Sequence, residues 1–178
     1  MSFAPAGPET LQQMIDRERS AEGADRRAAL FWNTQIDVES MTLSGRLVAA
    51  AEHGEPVRIT LANGMTRHGL LCSVGADAID LASLDGTHAI IATDQIATVR
   101  SENRKLVRAD ENAVGPSLRE LLIGLAERRA TIRIVLRSAG EEAGELVACG
   151  ADVCVVRGNR RDLVYVAVAA ITEVQVLA

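Results

Sequence analysis

The chain has 178 residues, 48% hydrophobic, 24% charged and only 2% aromatic, with a formal net charge of −5. That length suits one domain or two small ones. The acidic balance and the few rings (Phe3, Phe31, Trp32 and Tyr165) leave little for neutralising phosphates or stacking bases.

No apolar run approaches the roughly 18–20 residues that span a bilayer, and residues 1–8 lack the charged and apolar segments of a signal peptide. A cytoplasmic protein without a membrane partner is expected. Three cysteines, Cys72, Cys149 and Cys154, are too few for a disulfide framework.

In chain order, residues 1–40 read as an N-terminal helical arm. Leu11, Met14, Ile15, Ala28, Leu30 and Phe31 have helical spacing, interrupted by Gly23. Its apolar residues predict that it packs or self-associates. Beyond it the chain repeats itself: shifted by 75 positions, residues 42–101 lie over 117–176 without a gap. Identical pairs include Leu43/Leu118, Leu47/Leu122, Arg58/Arg133, Ile59/Ile134, Gly69/Gly144, Gly75/Gly150, Asp77/Asp152 and Ile96/Ile171.

Each copy opens with an amphipathic helix, carried by Leu43, Leu47, Val48 and Ala51 or by Leu118, Leu122, Leu125 and Ala126. An alternating strand follows around Val57, Ile59 and Leu61, or Ile132, Ile134 and Leu136. Asn63-Gly64 predicts a hairpin, since both residues tolerate positive φ. Further strands are expected over 69–74, 78–82, 88–93 and 97–101, and over 144–149, 153–157, 163–168 and 172–177. A polar linker, 102–115, separates copy one (41–101) from copy two (116–178). One helix and five short antiparallel strands per copy predict a mostly β protein of two small, strongly bent barrels plus the arm.

The stretch from Pro56 to Ser101 resembles the Sm-like (LSm/Hfq-like) family. The match rests on Pro56-Val57, Leu61-x-Asn63-Gly64, Gly69, Asp77 and Ile96-x-Thr98-Val99; copy two keeps Leu136, Gly144, Asp152, Ile171 and Val174 but lacks Asn-Gly. The resemblance implies two tandem helix-plus-five-stranded barrels, whose fourth strand pairs with the fifth strand of a neighbour to build a ring. It also implies a uridine site, but the groups differ. Thr93-Asp94 and Val168-Ala169 stand where the family has Lys-His, and Ile79 and Cys154 stand where it stacks an aromatic ring.

No catalytic, cofactor or metal motif is apparent. His53, His68 and His88 have no pairing pattern, and no phosphate-cradling glycine loop precedes a lysine. Cys72, Cys149 and Cys154 face Val147, Val74 and Ile79 in the other copy, so each reads as a small core hydrophobe. A Cys149/Cys154 metal or redox pair is the sharper alternative, without Cys-x-x-Cys spacing to support it. Gly75, Asp77, Gly150 and Asp152 read as shared structural turn residues, since a turn aspartate bonds local backbone N–H groups.

Charge divides by segment: residues 1–41 hold 4 basic and 7 acidic side chains, and residues 42–101 hold 4 and 6. Arg157, Arg160 and Arg161 cluster in one loop of copy two, the best candidate contact for RNA or another anionic partner. A non-enzymatic oligomeric scaffold is expected, joining copies through barrel strand edges or the arm, without cofactor or small-molecule substrate. The alternative is an RNA-binding regulator that uses the arginine loop.

Overall fold

The computed structural model of the protein describes residues 42–83, 86–101, 115–138, 140–160 and 162–177. The arm predicted over 1–40, most of the predicted linker, and Arg161 lie outside them. Residues Thr42–Ala178 form one compact unit.

Each repeat begins with a capped helix. Thr42 Oγ1 accepts from Gly45 N at the start of α1 (Leu43–Glu52). At α2 (Leu118–Glu127), Ser117 and Glu120 form a reciprocal capping box. The Ser117 backbone N–H and hydroxyl both bond the Glu120 carboxylate and hold its pKa below the usual range.

Strands β1 (Pro56–Leu61), β2 (Thr66–Val74), β3 (Ala78–Ser83), β4 (His88–Ala92) and β5 (Ile96–Ser101) follow α1. Strands β6 (Thr131–Leu136), β7 (Glu141–Cys149), β8 (Val153–Arg157), β9 (Leu163–Ala167) and β10 (Ile171–Val176) follow α2. The acidic pair Glu141-Glu142 opens β7. At Asn63-Gly64 only the glycine takes positive φ, while Asn63 Oδ1 accepts from Met65 N. Both repeats keep a glycine in their second strand for the same reason. A Cβ at Gly69 would sit 2.1 Å from Ala82 O, and one at Gly144 would sit 2.1 Å from Arg157 O.

The expected architecture of two closed barrels is not what forms. All ten strands join one open antiparallel sheet in the order β5-β1-β2-β3-β4-β10-β6-β7-β8-β9. Closing a repeat on itself would pair β4 with β5. Instead β4 pairs with β10 of the other repeat, and β5 and β9 are left at the two sheet edges. The physical reason is that β10 repeats the Ile-x-x-Val pattern of β5. The sister strand therefore offers β4 the same ladder, while β5 and β9 keep one unpaired edge each.

Two apolar clusters lie in the unit. One gathers Leu47, Val57, Ile59, Leu71, Ile79 and Leu81 from the first repeat. The other joins Leu122, Leu125, Ile134, Leu146 and Val174 of the second repeat to Ala78, Ile90 and Ala92 of the first. Helix α1 packs on β2, while α2 packs on β7 and also touches β4. Among the described residues, no helix is long and apolar enough to cross a membrane.

The inner seam carries one further tie. Glu173 on β10 is fully buried and pairs with Arg67 on β2. Arg67 donates twice, from Nε to Oε1 at 2.6 Å and from Nη2 to Oε2 at 2.8 Å. Gln175 Nε2 adds a third bond to Oε1 at 3.1 Å.

Candidate functional site

The seam between the repeats is a strand ladder whose register is Glu173↔Ile91, Val174↔Ile90, Gln175↔Ala89 and Val176↔His88. There Ile90 is 4% exposed and Val174 is fully buried. The 75-residue offset maps these two onto Tyr165 and Val99, which lie on the open edges β9 and β5. Tyr165 is 68% exposed, Leu163 beside it is 48% exposed, and Val99 is only partly covered. One strand position is thus a core position at the inner seam and a solvent position at the outer edge. β9 carries no charged residue and β5 only Arg100, and so apolar an edge is a template for pairing with another chain.

Both Gly-Ala-Asp turns open onto one pocket of about 620 Å³, lined among others by Asp77, Thr93, Asp94, Arg137, Asp152 and Val168. The main-chain carbonyls of Asp77 and Asp152 make equivalent bonds, accepting from Thr93 N at 2.9 Å and Val168 N at 2.8 Å. Both side chains are exposed, and that of Asp77 ties the turn to the second repeat: its Oδ1 accepts from Leu118 N at 2.8 Å, at the first turn of α2. The two glycines differ as well. A Cβ at Gly75 would sit 2.2 Å from Pro116 O, while one at Gly150 would meet only ordinary contacts from 3.5 Å outward. Gly75 is the point where the second repeat enters against the first, through the Gly75↔Gly115 bridge. Asp94, at the position of the family's basic pair, is bound by Arg137 Nη2 at 2.7 and 3.0 Å.

The arginine cluster is only partly assembled. Arg157 Nη1 donates to Glu145 Oε2 at 3.3 Å, and Glu145 also holds Arg129 at 2.9 Å, so Arg157 is engaged internally. Arg160 is exposed, and Arg161 falls outside the described residues. Ile79 and Cys154, at the stacking positions of the resembled family, are fully buried. No base can reach them there.

Of the three cysteines read as core hydrophobes, Cys154 lies in the second apolar cluster with Cys149 packed against it, and Cys72 departs from the reading. Cys154 is buried, Cys149 half-buried and Cys72 exposed. Cys149 and Cys154 are direct cross-strand partners on β7 and β8, with their sulfurs 2.6 Å apart. Burial first, and then the neighbouring Cys149, push the Cys154 thiol well above the usual range. Spacing rules missed this pair because the hairpin, not a Cys-x-x-Cys helix turn, brings residues five apart face to face. Of the histidines, His53 caps α1 with Nδ1 against Ala49 O at 2.7 Å, and His88 faces Asp80 at 3.2 Å. His68 is exposed on β2. No protein-family model matches the chain, and no curated protein matches it.

Proposed function

We propose that the chain is a non-enzymatic cytoplasmic scaffold that assembles by repeating its inner seam between molecules, with β9 of one copy pairing with β5 of the next. The observation that supports this is the β4–β10 ladder itself. One repeat already binds the other through the two strands that the outer edges duplicate.

Carrying the inner register across the repeat offset gives the outer one: Thr98 opposite Val166, Val99 opposite Tyr165, Arg100 opposite Val164 and Ser101 opposite Leu163. Tyr165 and Val99 then become a buried cross-strand pair, as Ile90 and Val174 are within the chain. The contact is heterologous, joining two different surfaces, so copies add head to tail until a ring closes. The resemblance to the Sm-like family, whose neighbours join through these two strands, makes three chains the expected closed assembly.

Light scattering tests this. The expected mass is about 57 kDa, three times the 19.0 kDa chain. Tyr165→Lys and Val99→Lys, on opposite edges, should each give monomers, and mixing the two variants should give a dimer through the one intact seam. A wild-type monomer at about 50 μM would overturn the reading, as would a Tyr165→Lys variant that still assembles. That concentration is roughly fifty times a micromolar Kd.

A further inference from the structure

Three strands of the first repeat bring together a thiol, a carboxylate and an imidazole that share no motif. Cys72, Asp80 and His88 offer ligand atoms that all lie within 4.8 Å of one another. The sheet explains how. Cys72 sits where the β2–β3 ladder slips between Leu71↔Leu81 and Ser73↔Asp80, so it is the extra residue of a β-bulge. A bulge re-aims a side chain without breaking the sheet. On β3 and β4, Ala82 pairs with His88 and Asp80 pairs with Ile90, which puts His88 diagonal to Asp80 on one face. His88 Nδ1 lies 3.2 Å from Asp80 Oδ1.

The second repeat supplies an internal control. It has the same bulge, between Leu146 and Ala148, and the same strand pairing. At the three equivalent positions it carries Val147, Val155 and Leu163. The fold therefore needs no polar group at any of the three, and the thiol, carboxylate and imidazole occur together in one repeat and are absent together from the other. A half-exposed His–Asp pair of this kind contributes little to stability.

We infer that Cys72, Asp80 and His88 form a three-ligand site for a borderline divalent cation of the zinc class. Mixed S, N and O donors suit Zn²⁺ or Co²⁺ rather than Mg²⁺ or Ca²⁺, which take oxygen shells. Tetrahedral bonds of about 2.0–2.3 Å bring neighbouring ligand atoms to roughly 3.5 Å, within reach of small side-chain rotations here. The fourth position is left for water or an exogenous ligand. Asp80 and His88 also line an open pocket of about 380 Å³ with Leu121 and Leu125 of α2 and Arg128 at its C-terminal cap, so such a ligand would lie beside the second repeat.

A nucleophilic Cys–His–Asp reading fits less well. A catalytic cysteine needs a depressed pKa, whereas burial, and after it the Asp80 charge, raise the Cys72 thiol. On binding, the metal takes the thiolate and the thiol proton is released to solvent, so affinity rises with pH.

Co²⁺ titration of the full chain tests the site. One equivalent per chain should bind, with a thiolate-to-metal charge-transfer band. Cys72→Val, Asp80→Val and His88→Leu install the residues of the sister repeat and should each lower affinity at least about tenfold, since even outer-shell changes cost 10–100-fold. The Cys149→Val/Cys154→Ile variant should bind normally. In that background, Zn²⁺ should also protect Cys72 from alkylation, a readout that leaves all three ligands intact. The inference is overturned if the wild type shows no such band, if the band survives Cys72→Val, or if Zn²⁺ leaves the alkylation rate unchanged.

Discussion

Removing Arg67 should cost far more than removing the carboxylate it holds. Glu173 is fully buried, and two of its three hydrogen bonds come from the Arg67 guanidinium. Arg67→Met leaves that carboxylate with Gln175 alone, and an uncompensated buried charge costs about 3–5 kcal/mol. For the unit Thr42–Ala178, an unfolding entropy of about 2.1 cal/mol/K per residue converts this to a Tm loss of roughly 10–17 °C. Glu173→Gln is the gentler change, because Arg67 is 22% exposed and can turn to water; a cost of about 1–3 kcal/mol is expected for the bonds lost. Replacing both residues with methionine should recover most of the Arg67→Met loss, since apolar substitutes for a buried pair are often neutral. Urea unfolding at constant m value measures all three. If Arg67→Met cost under about 1 kcal/mol, or if the double methionine variant were no more stable than Arg67→Met alone, the buried pair would not be the clasp of the inner seam.

The glycines of the two turns should respond in opposite ways. Gly75→Ala drives a Cβ into the Pro116 carbonyl and should lose about 1–3 kcal/mol, while Gly150→Ala should be neutral or gain up to about 1 kcal/mol; equal urea midpoints would refute the close approach. Cys149 and Cys154 should close a disulfide by exchange with oxidised glutathione, which takes two electrons and both thiol protons from the pair and leaves as two reduced glutathiones. Thiol titration should then fall from three to one per chain, with a stabilisation of about 2 kcal/mol from the short loop; three titratable thiols after oxidation would refute it.

The duplication was legible because strand phase, helix face and turn residues all recur at one offset, as Gly69/Gly144 and Asp77/Asp152 show. The family resemblance implied that a fourth strand pairs with a neighbour's fifth, but apolar phase alone did not fix the partner of β4. Strands β5 and β10 have the same apolar phase, so local pattern is satisfied equally by closing a barrel and by joining the sister repeat. The Cys72–Asp80–His88 cluster is spread over three strands at eight-residue intervals, and its geometry depends on a bulge that leaves no mark in composition. A signal was nonetheless present, in the joint replacement of all three by aliphatics in the other copy. Taking each cysteine singly as a core hydrophobe hid it.

The β4–β10 ladder also has a consequence during synthesis. β3 already pairs with one side of its strand, but Ile90 must wait for Val174 before the other side has a partner. At about 5–20 residues per second, the 84 residues from position 91 through Val174 take the ribosome roughly 4–17 s. Throughout that interval a nascent first repeat presents the backbone of His88–Ala92 as an unpaired apolar edge. On a crowded polysome, the β10 of a chain that is already finished can fill the gap first. The resulting swapped pair would contain only native contacts, so synthesis rate and chain density, rather than the strength of any single interaction, decide how often a molecule completes its own sheet.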